Sequence, residues 1–402
     1  MLDLVLLQPP DAVSSNPKMY FPLSLCYLAA VVEKAGYTVE VLDFRDSVKE
    51  LPEARFYGFS ATTPQINMAK AIASKVSGKT IVGGAHPSLL PQDCVGSFDY
   101  VVRGEGEEVI VGILKGKIKE GVINAPRIYN LDSVPFPAWH KIAEPFSDTL
   151  FSGERYGKGQ VAGTLIGSRG CPYLCSFCAN LFRNPVIYRS VDNIVNELKY
   201  LISHYGLFYF RFEDDNFTLH PEFYELCHRL SSLGIHFKCH TKSSLLTEER
   251  AEWLKWAGCE ECGLGVESAD NEVLRLNKKK ETIAQHGGAV KILKKTGIRV
   301  KVYLMAGLPG ETDNSVKVTK EFMRMFKPDK WTLSTFTPYP GSEIFNEPEK
   351  FNMTIINSDW SNWWNFIPNK GFNHILEGQT PEEMWNRYKE FYNFLKEETW
   401  RA

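Results

Sequence analysis

No run of apolar residues in this chain approaches the ~18–20 that a membrane-spanning helix needs. With 44% hydrophobic and 23% charged residues and a mean hydropathy of −0.24, the composition is that of an ordinary globular protein, and neither membrane insertion nor disorder is expected. An excess of one charge is missing too: 46 Lys and Arg stand against 48 Asp and Glu, a net −2, and no basic arm collects the cations, so nucleic acid is not expected as a partner. The opening MLDLVLLQPP lacks a basic region and a small-residue cleavage site and carries Asp3. It reads as a first strand, and a cytoplasmic address is expected. Low-complexity tracts and residue-level repeats are absent. The nine cysteines are an odd number in a reducing compartment, which disfavours a disulfide framework and leaves metal or redox chemistry for any clustered thiols.

The 402 residues leave room for two or three domains. Over 1–125, short apolar runs at 2–7, 37–42, 56–60, 80–82 and 99–102 alternate with helical periodicity at 22–36 and 64–76. This pattern predicts an open, Rossmann-like α/β sheet. Such sheets bind ligands beyond the carboxyl ends of their strands. There the sequence places Gln8-Pro9-Pro10, Ala61-Thr62-Thr63-Pro64, Gly83-Gly84-Ala85-His86-Pro87 and Arg103-Gly104-Glu105-Gly106-Glu107. Residues 126–158, punctuated by Pro126, Pro135, Pro137 and Pro145, are expected to be a linker. A second α/β series over 159–345 has strands near 162–167, 207–213, 235–241, 261–266, 298–305 and 330–336, with helices such as 190–204 and 282–296. It predicts a partial (β/α)6 barrel of TIM type. The last stretch, 346–402, holds Trp360, Trp363 and Trp364 and a helix that Thr380-Pro381-Glu382-Glu383 opens and that runs through Trp400. This short helical region is expected to pack across an opening.

The chemistry is concentrated in Gly170-Cys171-Pro172-Tyr173-Leu174-Cys175-Ser176-Phe177-Cys178, which sets Cys171, Cys175 and Cys178 directly after a strand. A four-iron, four-sulfur cluster is usually held by four thiolates. A local set of three leaves one iron open to substrate. Zinc or inert packing is the alternative, but no His and no fourth ligand lies in the loop. The lone Cys259-Glu260-Glu261-Cys262 lacks a second pair and reads as packing; a metal there would need another thiol such as Cys239.

The CxxxCxxC loop is followed in order by Phe212-Glu213-Asp214-Asp215-Asn216-Phe217, Gly265-Val266-Glu267-Ser268, Gly307-Leu308-Pro309-Gly310-Glu311-Thr312 and Thr337-Pro338-Tyr339-Pro340-Gly341. This set resembles the radical S-adenosylmethionine (SAM) superfamily. The N-terminal region resembles its cobalamin-binding branch, and the likeness spans most of the chain. It implies three cofactors: a 4Fe-4S cluster on Cys171, Cys175 and Cys178, SAM and cobalamin. In that family the methionine amine and carboxylate chelate the open iron, an electron enters the sulfonium, and C5′–S cleavage gives a 5′-deoxyadenosyl radical. The protein holds the cofactor and excludes quenchers.

The same resemblance assigns residues. Asp214 and Asp215 stand where carboxylates accept from the methionine ammonium, although the family's usual segment is Gly-Gly-Glu-like and an N-cap is the plainer reading. Phe177 matches the position whose backbone meets adenine, while Ser243 and Glu267 match ribose and carboxylate contacts. Gly307 and Gly310 would let backbone approach adenine, or else form a simple turn. A Gly-x-Gly-x-x-Gly fingerprint is missing after the first strand, where Gln8-Pro9-Pro10 stands. The corrinoid site is therefore expected along Pro10, Thr62, Thr63, Gly83, Gly84, His86, Gly104 and Glu105. His86 lacks the Asp-x-His-x-x-Gly setting of a cobalt-binding imidazole: Gly84 and Leu89 stand at the flanking positions. The implied corrinoid has its lower base detached.

The resemblance points to a cobalamin-dependent radical methyltransferase acting on an unactivated carbon, in a cavity where two α/β domains meet edge to edge. Non-methylating cyclisation, rearrangement or dehydration is the alternative, and a non-catalytic corrinoid or redox sensor a third reading. The expected partners are a small-molecule or peptide substrate and an electron donor such as flavodoxin or ferredoxin, with the chain acting as a monomer. Trp360, Trp363, Trp364, Tyr303, Phe336 and Tyr339 are candidates to line a pocket, though aromatics near a barrel end more often belong to the core.

Overall fold

The computed structural model describes residues 1–10, 21–45, 50–142, 162–365 and 371–398. Two compact units form: Met1–Val161 with Ser358–Trp364, and Ala162–Asn357 with Asn365–Ala402.

In the first unit, β1 (Leu2–Gln8), β2 (Val39–Asp43), β3 (Ala54–Ser60), β4 (Lys79–Gly83), β5 (Tyr100–Arg103) and β6 (Gly121–Asn124) make one sheet in the order β2-β1-β3-β4-β5-β6. Every pairing is parallel. Because β1 is covered on both faces, its sequence is a near-continuous apolar run. Leu4 and Leu6 pack with α1 (Leu23–Lys34) and α4 (Ile110–Leu114), while Val5 and Leu7 pack with α2 (Ile66–Ala73). The strand order reverses at β1 and β3, the switch point at which doubly wound sheets bind ligands. Strand β6, the short α3 (Ala85–Leu89) and α4 are additions to the predicted elements; β6 is a largely exposed edge strand with no apolar alternation to betray it.

The described part of the proline-punctuated segment is bound to this unit. Trp139 stacks on Phe21 with centroids 4.4 Å apart, and the Ala138 N–H donates to the Cys26 carbonyl at 2.9 Å. Residues 143–158 of the expected linker lie outside the described residues. Tail residues Ser358–Trp364 also belong to the first unit, where the Asn67 amide donates to Asp359 at 3.0 Å and to Ser361 at 3.1 Å.

In the second unit the chain runs through β7 (Ala162–Leu165), the short pair β8 (Ser168–Arg169) and β9 (Ile187–Tyr188), then β10 (Tyr209–Phe212), β11 (His236–Thr241), β12 (Cys259–Glu267), β13 (Arg299–Ala306) and β14 (Lys330–Thr335). The large sheet has the order β14-β13-β12-β11-β10-β7, all parallel. Each long strand is laid beside the last, so right-handed crossovers put the connecting helices on one face. These are α5 (Val191–Tyr205), α6 (Phe223–Ser231), α7 (Glu248–Trp256), α8 (Asn271–Leu276), α9 (Ile283–Thr296) and α10 (Asp313–Phe326). This is the six-stranded βα barrel series the sequence predicts. Phe210, Phe237, Cys239, Cys259, Cys262, Leu264, Val300 and Val302 are fully buried, and the three cysteines among them serve as small hydrophobes.

Helix boundaries follow capping chemistry: Ser190 caps α5, and Thr282 with Gln285 forms a capping box on α9. Beyond β14 come α11 (Glu343–Asn346), the hairpin β15 (Met353–Ile355) with β16 (His374–Leu376), and α12 (Pro381–Glu397), opened by the predicted Thr380/Glu383 box. Trp400, the expected helix end, lies outside the described residues. Among the described residues no helix is long and apolar enough to cross a membrane.

Gly84 tests the first unit's ligand edge. Its φ is +99°, and a Cβ there would stand 2.9 Å from both the amide nitrogen and carbonyl oxygen of Ala61. Gly84→Ala is expected to destabilise the protein by roughly 1–3 kcal/mol, read as a lowered urea midpoint. An unchanged midpoint would show that the β3 and β4 ends yield without cost.

Candidate functional site

The β8–β9 pairing closes the neck of the loop that carries the three cysteines. Inside it the Cys171 N–H donates to the Phe182 carbonyl at 3.0 Å and the Cys178 N–H to the Cys175 carbonyl at 3.1 Å. The Arg183 guanidinium donates to the carbonyls of Tyr173 at 2.9 Å and Cys178 at 2.7 Å. The loop is thus fixed by its backbone, which leaves its side chains for ligation. Cys175 is buried, Cys171 and Cys178 are half-buried, and all three are free thiols. Asn216 Nδ2 donates to Cys171 Sγ at 3.4 Å.

A single ion at a Zn–S distance of ~2.3 Å draws its sulfurs to within about 4.6 Å of one another. Among the described residues the only His, Cys, Asp or Glu trio gathered within 4.8 Å is His86, Asp93 and Cys94, not the loop cysteines. The three loop sulfurs are not all gathered within that distance, so they do not form a ready single-ion site. Burial pushes the Cys178 thiol up to about 11, Asp215 adding to the shift and Arg183 opposing it. Burial also raises Cys171, against a hydrogen bond from the Tyr173 backbone and the Lys242 charge. Metal charge would offset this penalty on the thiolates.

Asp214 is turned inward. Its carboxylate accepts from the Gly167 N–H at 3.0 Å and the Ser168 hydroxyl at 2.5 Å, pinning the end of β10 to the entry of the cysteine loop, and burial holds its carboxyl above the usual range. The expected ammonium contact from Asp214 is therefore replaced by a loop clamp. Asp215 is exposed and accepts from Asn180 Nδ2 at 3.2 Å. Phe177 is half-buried, and its amide and carbonyl make no hydrogen bond among the described residues. The flanking Ser176 uses both of its own, with Asn277 and Ile344. That arrangement leaves the Phe177 backbone available for an adenine edge.

Glu267 ends β12 at a register shift, in a left-handed conformation with φ +63°. Its Oε1 accepts from Lys279 Nζ at 3.2 Å, while its buried Oε2 has no hydrogen-bond partner among the described residues. A strained, half-satisfied buried carboxylate at a strand end is the pattern of a ligand contact. Lys279 also pairs with Glu281 at 3.5 Å, and Glu281 with Lys242 at 3.0 Å. The Lys242 ammonium sits 4.5 Å from the ring centroid of Tyr173, inside the cysteine loop. Burial works against the Lys279 ammonium, but Glu267, Glu281 and Cys175 together hold it above its ordinary value. Lys242, Lys279 and Glu281 escape sequence reasoning, because Lys278-Lys279-Lys280-Glu281 reads as a solvated charge run. Only the left-handed Lys278 and Lys280 turn Lys279 inward. Ser243, by contrast, spends its hydroxyl on His286 Nδ1 at 2.8 Å.

The backbone of Gly307, expected to face a ligand, is engaged within the protein. The Phe372 ring lies 2.4 Å from where a Gly307 Cβ would be, at a φ of +82°. The Gly307 N–H donates to Glu311 Oε2 at 3.0 Å, and its carbonyl accepts from His374 Nε2 at 2.7 Å. The Leu276 side chain fills the space above Gly310.

In the first unit the expected corrinoid residues divide. Pro10, Thr62, Gly83, Gly84 and Gly104 remain exposed or half-buried along the carboxyl edge. The Thr62 hydroxyl caps the helix through Gln65 at 2.8 Å, and the Gly104 N–H donates to Ser88 at 3.1 Å. Thr63, His86 and Glu105 are buried and engaged elsewhere. His86 bonds Thr63 through Nδ1 at 3.2 Å and Asp93 through Nε2 at 3.1 Å, with the Trp360 ring edge-on at 5.3 Å. Glu105 accepts from the Ile128 N–H at 2.6 Å and pairs with Arg127 at 3.0 Å. These three residues support the edge and do not line it. What the edge offers a broad, amide-rimmed ligand is small side chains and backbone.

Two family models match the chain in order: a B12 binding domain over residues 12–114 and the radical SAM superfamily over 165–323. The chain belongs to the cobalamin-binding radical SAM family. As a member of that family it is a radical SAM enzyme whose cofactors are a 4Fe-4S cluster, SAM and cobalamin. It is 27% identical to an uncharacterised methyltransferase of Pyrococcus horikoshii, an alignment covering 92% of this chain and 87% of the relative. It is 25% identical to an anaerobic magnesium-protoporphyrin IX monomethyl ester cyclase of Cereibacter sphaeroides, across 92% of this chain and 67% of the relative. In fold it resembles the radical SAM methyltransferase TsrM of Kitasatospora setae, solved with cobalamin and a 4Fe-4S cluster bound. That match has a TM-score of 0.68 at 17% identity, covering 96% of this chain and 85% of the other.

Glu311, beneath Gly307, gives this radical SAM enzyme a measurable pH signature. Burial raises its carboxyl to about 7, against the Gly307 N–H and Arg387. The unfolded chain releases this proton near 4.5 and the folded chain near 7, so stability falls as pH rises between those values and is level above them. Glu311→Gln is expected to flatten that decline and to stabilise the protein at pH 8 by up to about 3 kcal/mol. Urea unfolding at pH 5 and pH 8 measures both effects, and an unchanged slope would mean the carboxyl is ionised throughout.

Proposed function

We propose that this enzyme is a cobalamin-dependent radical methyltransferase that places a methyl group on an unactivated carbon. The observation that carries the reading is the cysteine loop: three backbone-fixed thiols on one loop, spaced for a cluster, with no fourth protein ligand in the loop and a B12-type sheet preceding the barrel in the chain. Methyltransferases among the relatives support methylation as the outcome. When bound, the cluster and SAM supply a 5′-deoxyadenosyl radical, and the corrinoid supplies the methyl group.

The chain's own residues hold and orient. Asp214 fixes the loop, the Phe177 backbone receives the adenine, and Glu267 offers Oε2 to the ribose or to the methionine moiety, with Lys279 locking its orientation. Pro10, Thr62, Gly83, Gly84 and Gly104 form the edge along which the corrinoid lies. The substrate is a small molecule or peptide, an electron enters from a flavodoxin- or ferredoxin-like donor, and the enzyme works as a cytoplasmic monomer. A non-methylating ring closure is the second reading, favoured by the likeness to the monomethyl ester cyclase.

After anaerobic reconstitution with iron, sulfide and methylcobalamin, protein incubated with reductant and SAM is expected to release 5′-deoxyadenosine. With substrate it should also release S-adenosylhomocysteine, the by-product of remethylating the corrinoid. Cys175→Ala should abolish 5′-deoxyadenosine. Release of 5′-deoxyadenosine without S-adenosylhomocysteine during substrate turnover selects the non-methylating reading; no 5′-deoxyadenosine from cluster-replete protein removes both.

A further inference from the structure

The strands of the second unit bury one face against helices, and their other face carries an unusual concentration of charge. Register aligns Arg211 with Lys238, Lys238 with Glu261 and Glu261 with Arg299, and one step along Lys301 with Lys330. Side chains aligned in this way project from the same face of a parallel sheet. Along β13 the fully buried Val300, Val302 and Leu304 alternate with the half-buried Lys301, Tyr303 and Met305, so the face opposite the helices is reached by solvent at the depth of Lys301.

The ion pairs on this face leave one ammonium aside. Glu213 is taken by Arg211 at 2.5 Å. Glu261 is shared by Lys330 at 2.8 Å, Lys238 at 3.4 Å and Arg299 at 4.0 Å. That leaves Lys301 with no carboxylate within ion-pair distance among the described residues; its Nζ rests 4.8 Å from the Tyr303 ring centroid. Burial pulls the Lys301 ammonium below its ordinary value, and Lys330 and Arg211 add to this against Glu261 and Glu213. A half-buried ammonium without a carboxylate is costly unless an anion joins it.

We propose that the inner face of the barrel binds an anionic group of the substrate, a phosphoryl or carboxylate oxyanion, with Lys301 as its principal contact and Arg211 and Lys330 completing the field. That this anion belongs to the substrate rests on the radical-enzyme reading above. The site lies on the same strands as Glu267: Lys301 is level with Gly263 on β12, four positions before Glu267. Because β12 bulges between Gly265 and Glu267, Glu267 pairs with Leu304, three positions beyond Lys301, so at ~3.3 Å per residue the two levels lie about 10 Å apart along the strands, a separation that suits an extended substrate with its charge remote from the reacting carbon.

Equilibrium dialysis of the cluster-reconstituted protein, without SAM or reductant, tests the site separately from radical chemistry. The probes are inorganic pyrophosphate for a phosphoryl group and succinate for a carboxylate. At least one is expected to bind saturably, and the tighter one identifies the class. Lys301→Gln should weaken that binding about tenfold or more, the loss of one charge-assisted hydrogen bond, while Lys301→Arg, which keeps the charge, should stay within about threefold. The proposal is overturned if neither probe binds, if Lys301→Gln binds as the wild type does, or if Lys301→Arg loses as much as Lys301→Gln. Because 5′-deoxyadenosine formation is assayed separately, loss of the radical-enzyme reading would leave anion binding standing, and loss of anion binding would leave that reading intact.

Discussion

Parallel strands joined in one rotational sense can bury their helices on only one side when each new strand is laid next to the previous one. The second unit obeys this constraint throughout, in the order β14-β13-β12-β11-β10-β7. Apolar residues on one face of each strand meet helices, so the other face and the carboxyl ends are the places where polar side chains can be held without disrupting the core. The cysteine loop leaves the end of β7, Asp214 the end of β10, Lys242 and Ser243 follow β11, and Glu267 closes β12. The first unit breaks the one-way order at β1 and β3, so it takes helices on both faces and its chemistry is confined to the carboxyl edge.

Within that frame the second unit accepts a large desolvation cost. Lys242, Lys279, Glu267 and Glu281 are all buried, and buried ions are tolerable only when paired and hydrogen-bonded. They are two of each sign, linked end to end, and the series begins at Tyr173 in the cysteine loop. The loop, the segment 277–281 and the end of β12 are therefore held by one electrostatic chain. This explains how a left-handed glutamate persists at position 267: Lys279 restrains one carboxylate oxygen, and the backbone strain is met by the surroundings instead of being relaxed.

What was legible in the sequence follows from the range of the forces involved. The six barrel strands, α5, α9 and the capped start of α12 are written in local periodicity and in caps a few residues long, and the structure places them where the pattern does. The three cysteines were readable because their ligand set is local. Asp214, His86 and Gly307 were readable as special positions but not as to their partners, since Ser168, Asp93 with Trp360, and Phe372 with His374 are brought in by tertiary folding. Lys279 and Lys301 left no signal: a lysine in a charge run and a lysine on a strand both look solvated until the fold removes the water.

One geometric consideration separates ligand from scaffold in both units. His86, Asp93 and Cys94 have the residue types of a metal site and converge tightly enough for one ion, yet Lys70 Nζ lies 2.7 Å from the Asp93 carboxylate. A cation already occupies that carboxylate, Thr63 takes the other nitrogen of His86, and the trio closes on itself as packing behind the carboxyl edge. The loop cysteines present the opposite case. They are not gathered for one ion, carry no disulfide, and are fixed mainly through their backbone, with Asn216 Nδ2 donating to Cys171 Sγ. Convergence with the imidazole and carboxylate already engaged marks a support; separated thiols that form no disulfide mark a site for a larger inorganic core.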